Sequence, residues 1–175
     1  QEVLTWMYPI MEVLQELHSR HSPILHRDIK PGNIILTPQQ STVLVDFGLT
    51  KVYDPNVDTQ TLTRAVTPGI SPLEQYVGKT GPQSDIYSLA ATMYLLLTNR
   101  LPPPATSRTP NDALIPPRQL NPQLTLQMEQ ALLKALSLHM DQRFQTMQEF
   151  MDAVRAPKSS FTAYADRTLP AGIPA

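Results

Sequence analysis

The chain has 175 residues, a net charge of −1 and an apolar content of 41%, which suffices for the core of one domain. Its 14 lysines and arginines are scattered, which argues against nucleic-acid binding, and no apolar run reaches the roughly 20 residues that a membrane-spanning helix needs. The lack of cysteine excludes disulfides and fits a reducing compartment. We therefore expect a cytoplasmic protein, with a membrane anchor beyond Ala175 left open.

The first predicted element is an amphipathic helix. Apolar residues recur every three or four positions from Val3 to Leu17, which predicts a helix with one buried face that ends near His21. Pro9 lies inside this pattern, so we expect it either to kink the helix or to shift its start.

The next stretch, His26 to Asn33, carries the residue types of an active site. Asp28 can accept a proton from a hydroxyl group, and Lys30 can present a compact positive charge to a phosphoryl group. The Asn33 side chain offers an oxygen of the kind that Mg²⁺ prefers. These groups together indicate the transfer of a phosphoryl group to an alcohol.

Two apolar runs between Ile34 and Val45 flank a polar link and predict a small hairpin. The hairpin would fix Asn33 relative to Asp46, whose carboxylate is the second candidate metal ligand. Gly48 follows two positions later, and we expect its backbone freedom to allow a sharp turn after the aspartate.

Each of these residues also has a simpler explanation. Alone, Asp28 could cap a helix or a turn, and Asn33 could be a loop asparagine that bonds its own backbone. His18, His21 and His26 could form a metal site, but two of them belong to a helix end and the third to the loop. The ordered set of loop residues favours the catalytic interpretation over these alternatives.

His-Arg-Asp at 26–28, an asparagine five positions after the aspartate, and Asp-Phe-Gly at 46–48 resemble the protein-kinase signature. The chain resembles the C-terminal lobe of a bacterial, Hanks-type serine/threonine protein kinase over residues 1–155. The resemblance implies a mainly α fold, with a small β-hairpin that carries the catalytic loop and the Asp-Phe-Gly motif. It also implies ATP and Mg²⁺ (or Mn²⁺) as cofactors and proteins as substrates.

The resemblance implies a role for individual residues as well. Catalysis would fall to Asp28, Lys30 and Thr67, ATP contacts to Lys30, Asn33 and Asp46, and metal binding to Asn33 and Asp46. Lys30 supports the serine/threonine class. Structural or regulatory roles would fall to His26, Arg27, Phe47, Gly48, Glu74, Asp85 and Arg143.

The family's small lobe has a glycine-rich loop over the phosphates, a strand lysine and its glutamate partner, which these residues lack. We expect this N-lobe upstream of Gln1 and little phosphate transfer by the 175 residues alone. A binding or scaffold lobe without catalysis is therefore the alternative function. A small-molecule phosphotransferase is disfavoured by Lys30 and by the long segment that ends at Glu74.

The segment from Leu49 to Glu74 is polar and lacks a regular period. Thr59, Thr61 and Thr63 lie within it and are possible phosphorylation sites. Phosphothreonine could pair with Arg27 and order the segment, whereas the alternative is a solvated threonine-rich loop.

Thr67 to Gln75 resembles the end of the family's activation segment. The resemblance implies that Thr67 bonds Asp28 and Lys30 in the substrate pocket, and that Glu74 is the terminal glutamate of the Ala-Pro-Glu motif. The sequence departs from the family pattern at Val66, Ile70 and Leu73.

Asp85 opens an apolar stretch on helical spacing, which predicts a central buried helix. Asp85 could be its N-cap, or, from the resemblance, could hold the backbone of the catalytic loop. Both roles could hold at once.

Two later helices are predicted at 124–138 and 146–154, the second opened by a Thr146/Glu149 capping box. Arg143 lies between them in a stretch that resembles the family's late arginine motif, so we expect an ion pair with Glu74 rather than a solvated charge. Residues 156–175 are expected to form a flexible tail or linker.

Overall fold

Two long helices, α1 (Glu2–His18) and α3 (Pro82–Thr98), lie at the centre of this protein. The computed structural model describes residues 2–53, 66–108 and 112–155, so the predicted tail at 156–175 lies outside it. Within those ranges the other helices are α2 (Leu73–Val77), α4 (Pro117–Leu120), α5 (Leu126–Ala135) and α6 (Met147–Val154). No helix in this part of the chain is long and apolar enough to cross a membrane.

Helix α1 buries the face that its periodicity predicts. Met7, Ile10, Met11 and Leu14 are at most 1% exposed and pack in the main core. Pro9 lies inside the helix without displacing its start, and the helix ends at His18, three residues before the predicted end.

Helix α3 is buried on nearly all sides, as predicted, from Ser84 to Tyr94. Its N-terminus differs from the prediction. Gly81 occupies the N-cap position, and its N–H donates to the Ser84 hydroxyl at 3.1 Å. The N-cap prediction for Asp85 was therefore wrong, because the helix begins at Pro82 and Asp85 lies in its first turn.

The predicted hairpin is present as β2 (Ile34–Leu36) and β3 (Thr42–Leu44), antiparallel and with Ile35 opposite Val43. The first strand follows a 3₁₀ turn at Pro31–Asn33. A second pair, β1 (Ile24–Leu25) and β4 (Lys51–Val52), joins the two ends of the same region. The catalytic-loop candidates and Asp46 thus lie between two short antiparallel ladders.

The two helices predicted at 124–138 and 146–154 are present as α5 and α6, and α5 is shorter than predicted. The Thr146 hydroxyl accepts the N–H of Glu149 at 3.2 Å, which is half of the predicted capping box. The Glu149 carboxylate accepts the N–H of Gln145 at 3.0 Å, one residue before the cap. Helix α6 packs on α1, α3 and α5.

Candidate active site

Asp28 lies at the centre of a compact polar cluster. The Lys30 ammonium lies 3.0 and 2.8 Å from the two carboxylate oxygens of Asp28. The Asn33 amide donates to the backbone carbonyl of Asp28 at 2.8 Å and to its Oδ2 at 2.9 Å. The Asp28 side chain is 10% exposed and that of Lys30 is 33% exposed. Three candidates predicted from the loop therefore meet in one place.

Asp46 adopts a backbone conformation that is uncommon for a residue with a side chain. Its φ is 63°, in the left-handed region, and its Oδ1 accepts the N–H of Gly48 at 3.2 Å. The prediction that Gly48 supplies the unusual backbone angle was wrong, because Gly48 does not have a positive φ. A Cβ at this position would lie 3.0 Å from Asp46 Oδ1, so a larger residue would require the exposed Asp46 side chain to shift.

Asn33 and Asp46 carry the donor set that a magnesium ion requires. Asn33 uses its Nδ2 for both contacts to Asp28, which leaves its amide oxygen unengaged by any described residue. Asp46 is exposed, and its second carboxylate oxygen likewise accepts no hydrogen bond from the described residues. Val45 N–H donates to the Asn33 carbonyl at 2.9 Å, so the hairpin ties the two candidates together. Hard oxygen donors of this kind fit Mg²⁺, which keeps several waters or phosphate oxygens as further ligands.

The imidazole of His26 is buried and packs against the ring of Phe47. The two ring centroids lie 4.8 Å apart in an edge-to-face arrangement, whereas Phe47 itself is 47% exposed. Burial lowers the pKa of His26 below its ordinary value of 6.5, because the charged imidazolium loses its hydration. The contact connects the loop to the Asp-Phe-Gly segment.

The backbone of Arg27 is strained and is held on both sides. Its φ is 69°, in the left-handed region. Its N–H donates to Asp85 Oδ1 at 2.8 Å, and its carbonyl accepts from the Gln75 amide at 2.8 Å. The neighbouring His26 N–H donates to Asp85 Oδ2 at 2.8 Å. Asp85 therefore contacts the catalytic-loop backbone, which agrees with the second of its two predicted roles.

The guanidinium of Arg27 is buried without a carboxylate partner among the described residues. Arg27 is 4% exposed, and its Nε has no hydrogen-bond acceptor in that part of the chain. Burial lowers its pKa, although the nearby charge of Asp85 acts in the opposite direction. The possible phosphorylation sites Thr59, Thr61 and Thr63 lie outside the described residues.

Thr67 forms a tight turn rather than the predicted hydroxyl contacts. Its carbonyl accepts the N–H groups of Ile70 and Ser71, and its own N–H donates to the Ser71 hydroxyl at 2.9 Å. Within the described ranges no hydrogen bond joins Thr67 to Asp28 or Lys30, whose side chains contact each other. Its substrate-pocket role stays a prediction.

The expected ion pair between Arg143 and Glu74 is present and buried. Nη1 lies 2.6 Å from Oε1, and Nη2 lies 3.0 Å from Oε2, so the pair is bidentate. The remaining three N–H groups donate to the backbone carbonyls of Gln83, Ser137 and Leu138. Every donor of this guanidinium is therefore used, and the start of α2 is tied to the start of α3 and to the loop after α5.

Two polar residues of this region were not predicted from the sequence. Gln75 holds the Arg27 carbonyl, and the Ser84 hydroxyl donates to Glu74 Oε1 at 2.7 Å. Gln75 is the last residue of the Thr67–Gln75 stretch that resembles the activation segment, so the sequence could have indicated its role, whereas Ser84 belongs to no motif.

The alternative of a metal site at His18, His21 and His26 has no structural support, since no cluster of three metal-ligating His, Cys, Asp or Glu side chains occurs within the described ranges.

Comparison with known proteins decides the family. The model of the protein kinase domain matches residues 1–156. This chain belongs to the protein kinase family. The serine/threonine-protein kinase PknB of Mycolicibacterium smegmatis is 31% identical over 153 residues, which are 80% of this chain and 24% of that protein. PknA of Mycobacterium tuberculosis is 30% identical over 162 residues, which are 86% of this chain and 38% of that protein.

A solved structure supports the fold of this protein kinase chain. The apo form of PpkA-294 superposes with a TM-score of 0.71 at 27% identity, and the match covers 88% of this chain and 54% of the other. The predicted fold class, a mainly helical kinase-like lobe with small sheets, is confirmed. The chain spans about a quarter of the length of PknB and about half of PpkA-294.

Proposed function

We propose that this chain is the catalytic-loop lobe of a serine/threonine protein kinase, which transfers the γ-phosphate of ATP to serine or threonine hydroxyls of proteins. The observation that carries this proposal is the contact of Lys30 and Asn33 with the Asp28 carboxylate. The two contacts restrict the rotamer of Asp28 and the backbone of its loop. The carboxylate therefore presents a fixed hydrogen-bond acceptor to a substrate hydroxyl.

In the proposed reaction the substrate hydroxyl donates its proton to Asp28. The oxygen of the substrate hydroxyl forms a bond to the γ-phosphorus of ATP. At the same time the bond between this phosphorus and the bridging oxygen of ADP breaks, and ADP leaves with the electron pair of the broken bond. Lys30, one-third exposed beside Asp28, neutralises negative charge on the transferring group. A Mg²⁺ ion held by Asn33 and Asp46 would neutralise phosphate charge when bound.

The hairpin offers a place for an apolar part of the nucleotide. Ile35 and Val43 are cross-strand partners on one face of β2 and β3, and they are 51% and 46% exposed. Such a face beside Asn33 and Asp46 suits a planar purine, because it buries apolar area next to the phosphate-binding groups. This placement supports ATP as the phosphate donor.

Activation by phosphorylation is the proposed role of the buried Arg27. A buried guanidinium whose Nε has no acceptor among the described residues is costly, and a phosphothreonine would satisfy it through charge-assisted hydrogen bonds. We assign this partner to Thr59, Thr61 or Thr63.

The test compares two aspartate variants of the full-length protein. Asp28→Asn removes the proton acceptor and should lower kcat at least about 100-fold, with the KM for ATP nearly unchanged. Asp141→Asn is the matched control, because Asp141 is exposed and its side chain forms no hydrogen bond to the described residues. Equal rates for Asp28→Asn and Asp141→Asn would refute the catalytic proposal and favour a scaffold lobe.

A further inference from the structure

A groove runs along α2, the short helix that follows Thr67. It contains a cavity of about 690 Å³. Apolar side chains of α2 and of the turn after α5 line this groove, namely Leu73, Val77, Leu138 and Met140. Val77, the last residue of α2, is 54% exposed. Cavities of this size with mainly apolar walls are typical of binding sites, so the groove offers a surface to a ligand.

A second cavity adjoins the groove and contains a buried arginine. This cavity of about 460 Å³ shares Leu138 with the first and is also lined by Arg108, which is 1% exposed. Nε and one N–H of Nη2 donate to the Asp112 carboxylate at 2.7 and 2.6 Å. The two N–H groups of Nη1 donate to the Tyr87 hydroxyl and the Leu136 carbonyl. The second N–H of Nη2 has no acceptor among the described residues, so one buried donor remains for a ligand.

The chemistry of the two cavities suits an extended peptide. The ion pair with Asp112 neutralises the charge of Arg108, so the remaining N–H suits a neutral acceptor, such as a backbone carbonyl, better than a second anion. The apolar walls suit aliphatic or aromatic side chains, because binding removes their apolar area from water. One peptide can supply both groups, since carbonyls and side chains recur along an extended chain.

We propose that this groove is a docking site for an apolar peptide segment of the protein substrate, separate from the residues around the phosphorylated hydroxyl. The inference rests on the proposed function for naming the ligand a substrate, but not for peptide binding itself. The Glu74–Arg143 ion pair fixes α2 to the lobe. The Gln75 amide of the same helix donates to the carbonyl of Arg27, which directly precedes Asp28. A substrate docked along α2 is therefore kept close to the proposed catalytic base, which raises the effective concentration of its hydroxyl.

The first experiment measures peptide binding without phosphate transfer. Random peptides of about ten residues, which span roughly 35 Å when extended, are displayed on phage and selected on the immobilised full-length protein. The Kd of the selected peptides is then measured by fluorescence anisotropy. We expect them to be enriched in leucine, isoleucine, valine and phenylalanine. They should bind Val77→Glu at least about tenfold more weakly, because the new carboxylate would lie against their apolar side chains.

The matched control is Leu126→Glu. Leu126 is also 54% exposed, but it lines neither cavity. This variant should bind the selected peptides within about twofold of the wild type. If Val77→Glu does not fold, NMR spectra of the wild type replace it. A selected peptide should then shift the methyl resonances of Val77 and Leu138 and leave those of Leu126 unchanged.

A second experiment connects docking to phosphate transfer. A selected peptide is joined through a flexible Gly-Ser linker to a serine-containing acceptor peptide, and its KM is compared with that of the acceptor peptide alone. We expect the joined peptide to have a KM at least about tenfold lower with the wild type, and to lose this advantage with Val77→Glu. Linkers of several lengths are compared, because a linker too short to span the two sites gives no gain.

The docking site is overturned if no peptides are selected, or if selected peptides bind the wild type and Val77→Glu equally. It is also overturned if no peptides are selected and the protein instead forms a dimer that Val77→Glu dissociates, since the groove then binds a second copy.

The docking site and the kinase activity can fail separately. If selected peptides bind as expected but the wild type transfers no phosphate, the kinase proposal fails and the peptide site stands. If the wild type transfers phosphate and joining the peptides lowers KM at no linker length, the assignment of the groove to substrates is refuted.

Discussion

The Asp85 carboxylate holds the backbone N–H of Arg27 at 2.8 Å, although 58 positions separate the two residues in the sequence. Asp85 is 1% exposed and lies in the first turn of the central helix α3. Arg27 directly precedes the candidate catalytic base Asp28. Asp85 thus connects the buried core of the lobe to the site, together with Gln75, which holds the Arg27 carbonyl.

Asp85→Asn should destabilise the protein and slow transfer. An asparagine has one acceptor oxygen and an amide that would face backbone donors, so at least one buried N–H is left unsatisfied. We expect a loss of about 2 to 4 kcal/mol in the free energy of unfolding, measured by urea titration. Asp152→Asn is the control, because the exposed Asp152 carboxylate accepts a hydrogen bond only from the Gln148 amide among the described residues. Equal stability of the two variants would contradict the role of Asp85.

Breaking the Glu74–Arg143 pair on one side should cost more than removing both charges. Arg143→Leu leaves a buried carboxylate unpaired, and we expect about 3 to 5 kcal/mol of destabilisation. The double variant Glu74→Leu/Arg143→Leu should be less destabilised than the sum of the single variants, as a double-mutant cycle in urea would measure.

The exposed pair Arg20–Glu16 provides the comparison. Its N–O distance is 3.7 Å and its side chains are 54% and 71% exposed. Arg20→Leu should leave the urea midpoint unchanged, because solvent screens such a pair. The coupling between Glu74 and Arg143 would be contradicted if the losses of stability in their two single variants simply added up in the double variant. It would also be contradicted if Arg20→Leu destabilised the protein as much as Arg143→Leu.

His26 makes stability depend on pH. Burial holds its pKa below 6.5, so the folded protein binds fewer protons than the unfolded chain as the pH falls below that value. The contribution of His26 is fully present above about pH 6.5 and is lost as the pH falls through the folded pKa. His26→Phe keeps an aromatic ring against Phe47 and removes this titration.

The measurement is the free energy of unfolding at pH 7.5 and pH 5.5. From the higher to the lower pH, the wild type should lose stability relative to His26→Phe, with a slope of at most about 1.4 kcal/mol per pH unit for one proton. His21→Phe, at an exposed position, should follow the wild type. If the free energy of unfolding falls by the same amount in the wild type and in His26→Phe, the titration of His26 does not contribute to the pH dependence.

Phosphorylation should raise the transfer rate only when Arg27 is present. Arg27→Gln should abolish the difference in rate between phosphorylated and phosphatase-treated protein, because it removes the charged fork that binds the phosphate. Replacing Thr59, Thr61 and Thr63 together with alanine should leave the rate at the level of the phosphatase-treated wild type. Full activity of the triple alanine variant would contradict activation at these threonines.

The elements that the sequence predicted best are those with a strong local pattern. Helix α1 has apolar residues at helical spacing, and the hairpin has two apolar runs around a polar link. The Glu74–Arg143 pair was found only because both residues belong to recognisable motifs. The strands β1 and β4 were missed, since two residues are too short to show a period.

The parts that sequence reasoning missed depend on contacts between distant residues. The positive φ of Arg27 accompanies backbone hydrogen bonds to Asp85 and Gln75, which lie 58 and 48 positions away and leave no trace in local composition. The contact between His18 and Asp85 was also missed, because 67 positions separate these two residues in the sequence. The N-cap prediction for Asp85 failed because the sequence pattern does not show at which residue the helix begins, and α3 begins three residues earlier, at Pro82.

The proposed kinase activity can be measured by incubating the full-length protein with γ-labelled ATP, Mg²⁺ and a library of serine- and threonine-containing peptides and identifying the labelled product. We expect phosphoserine or phosphothreonine and ADP in equal amounts, formed only with Mg²⁺ and reduced at least about 100-fold in Asp28→Asn. Label transfer that is absent from the wild type, or equal in wild type and Asp28→Asn, would contradict it.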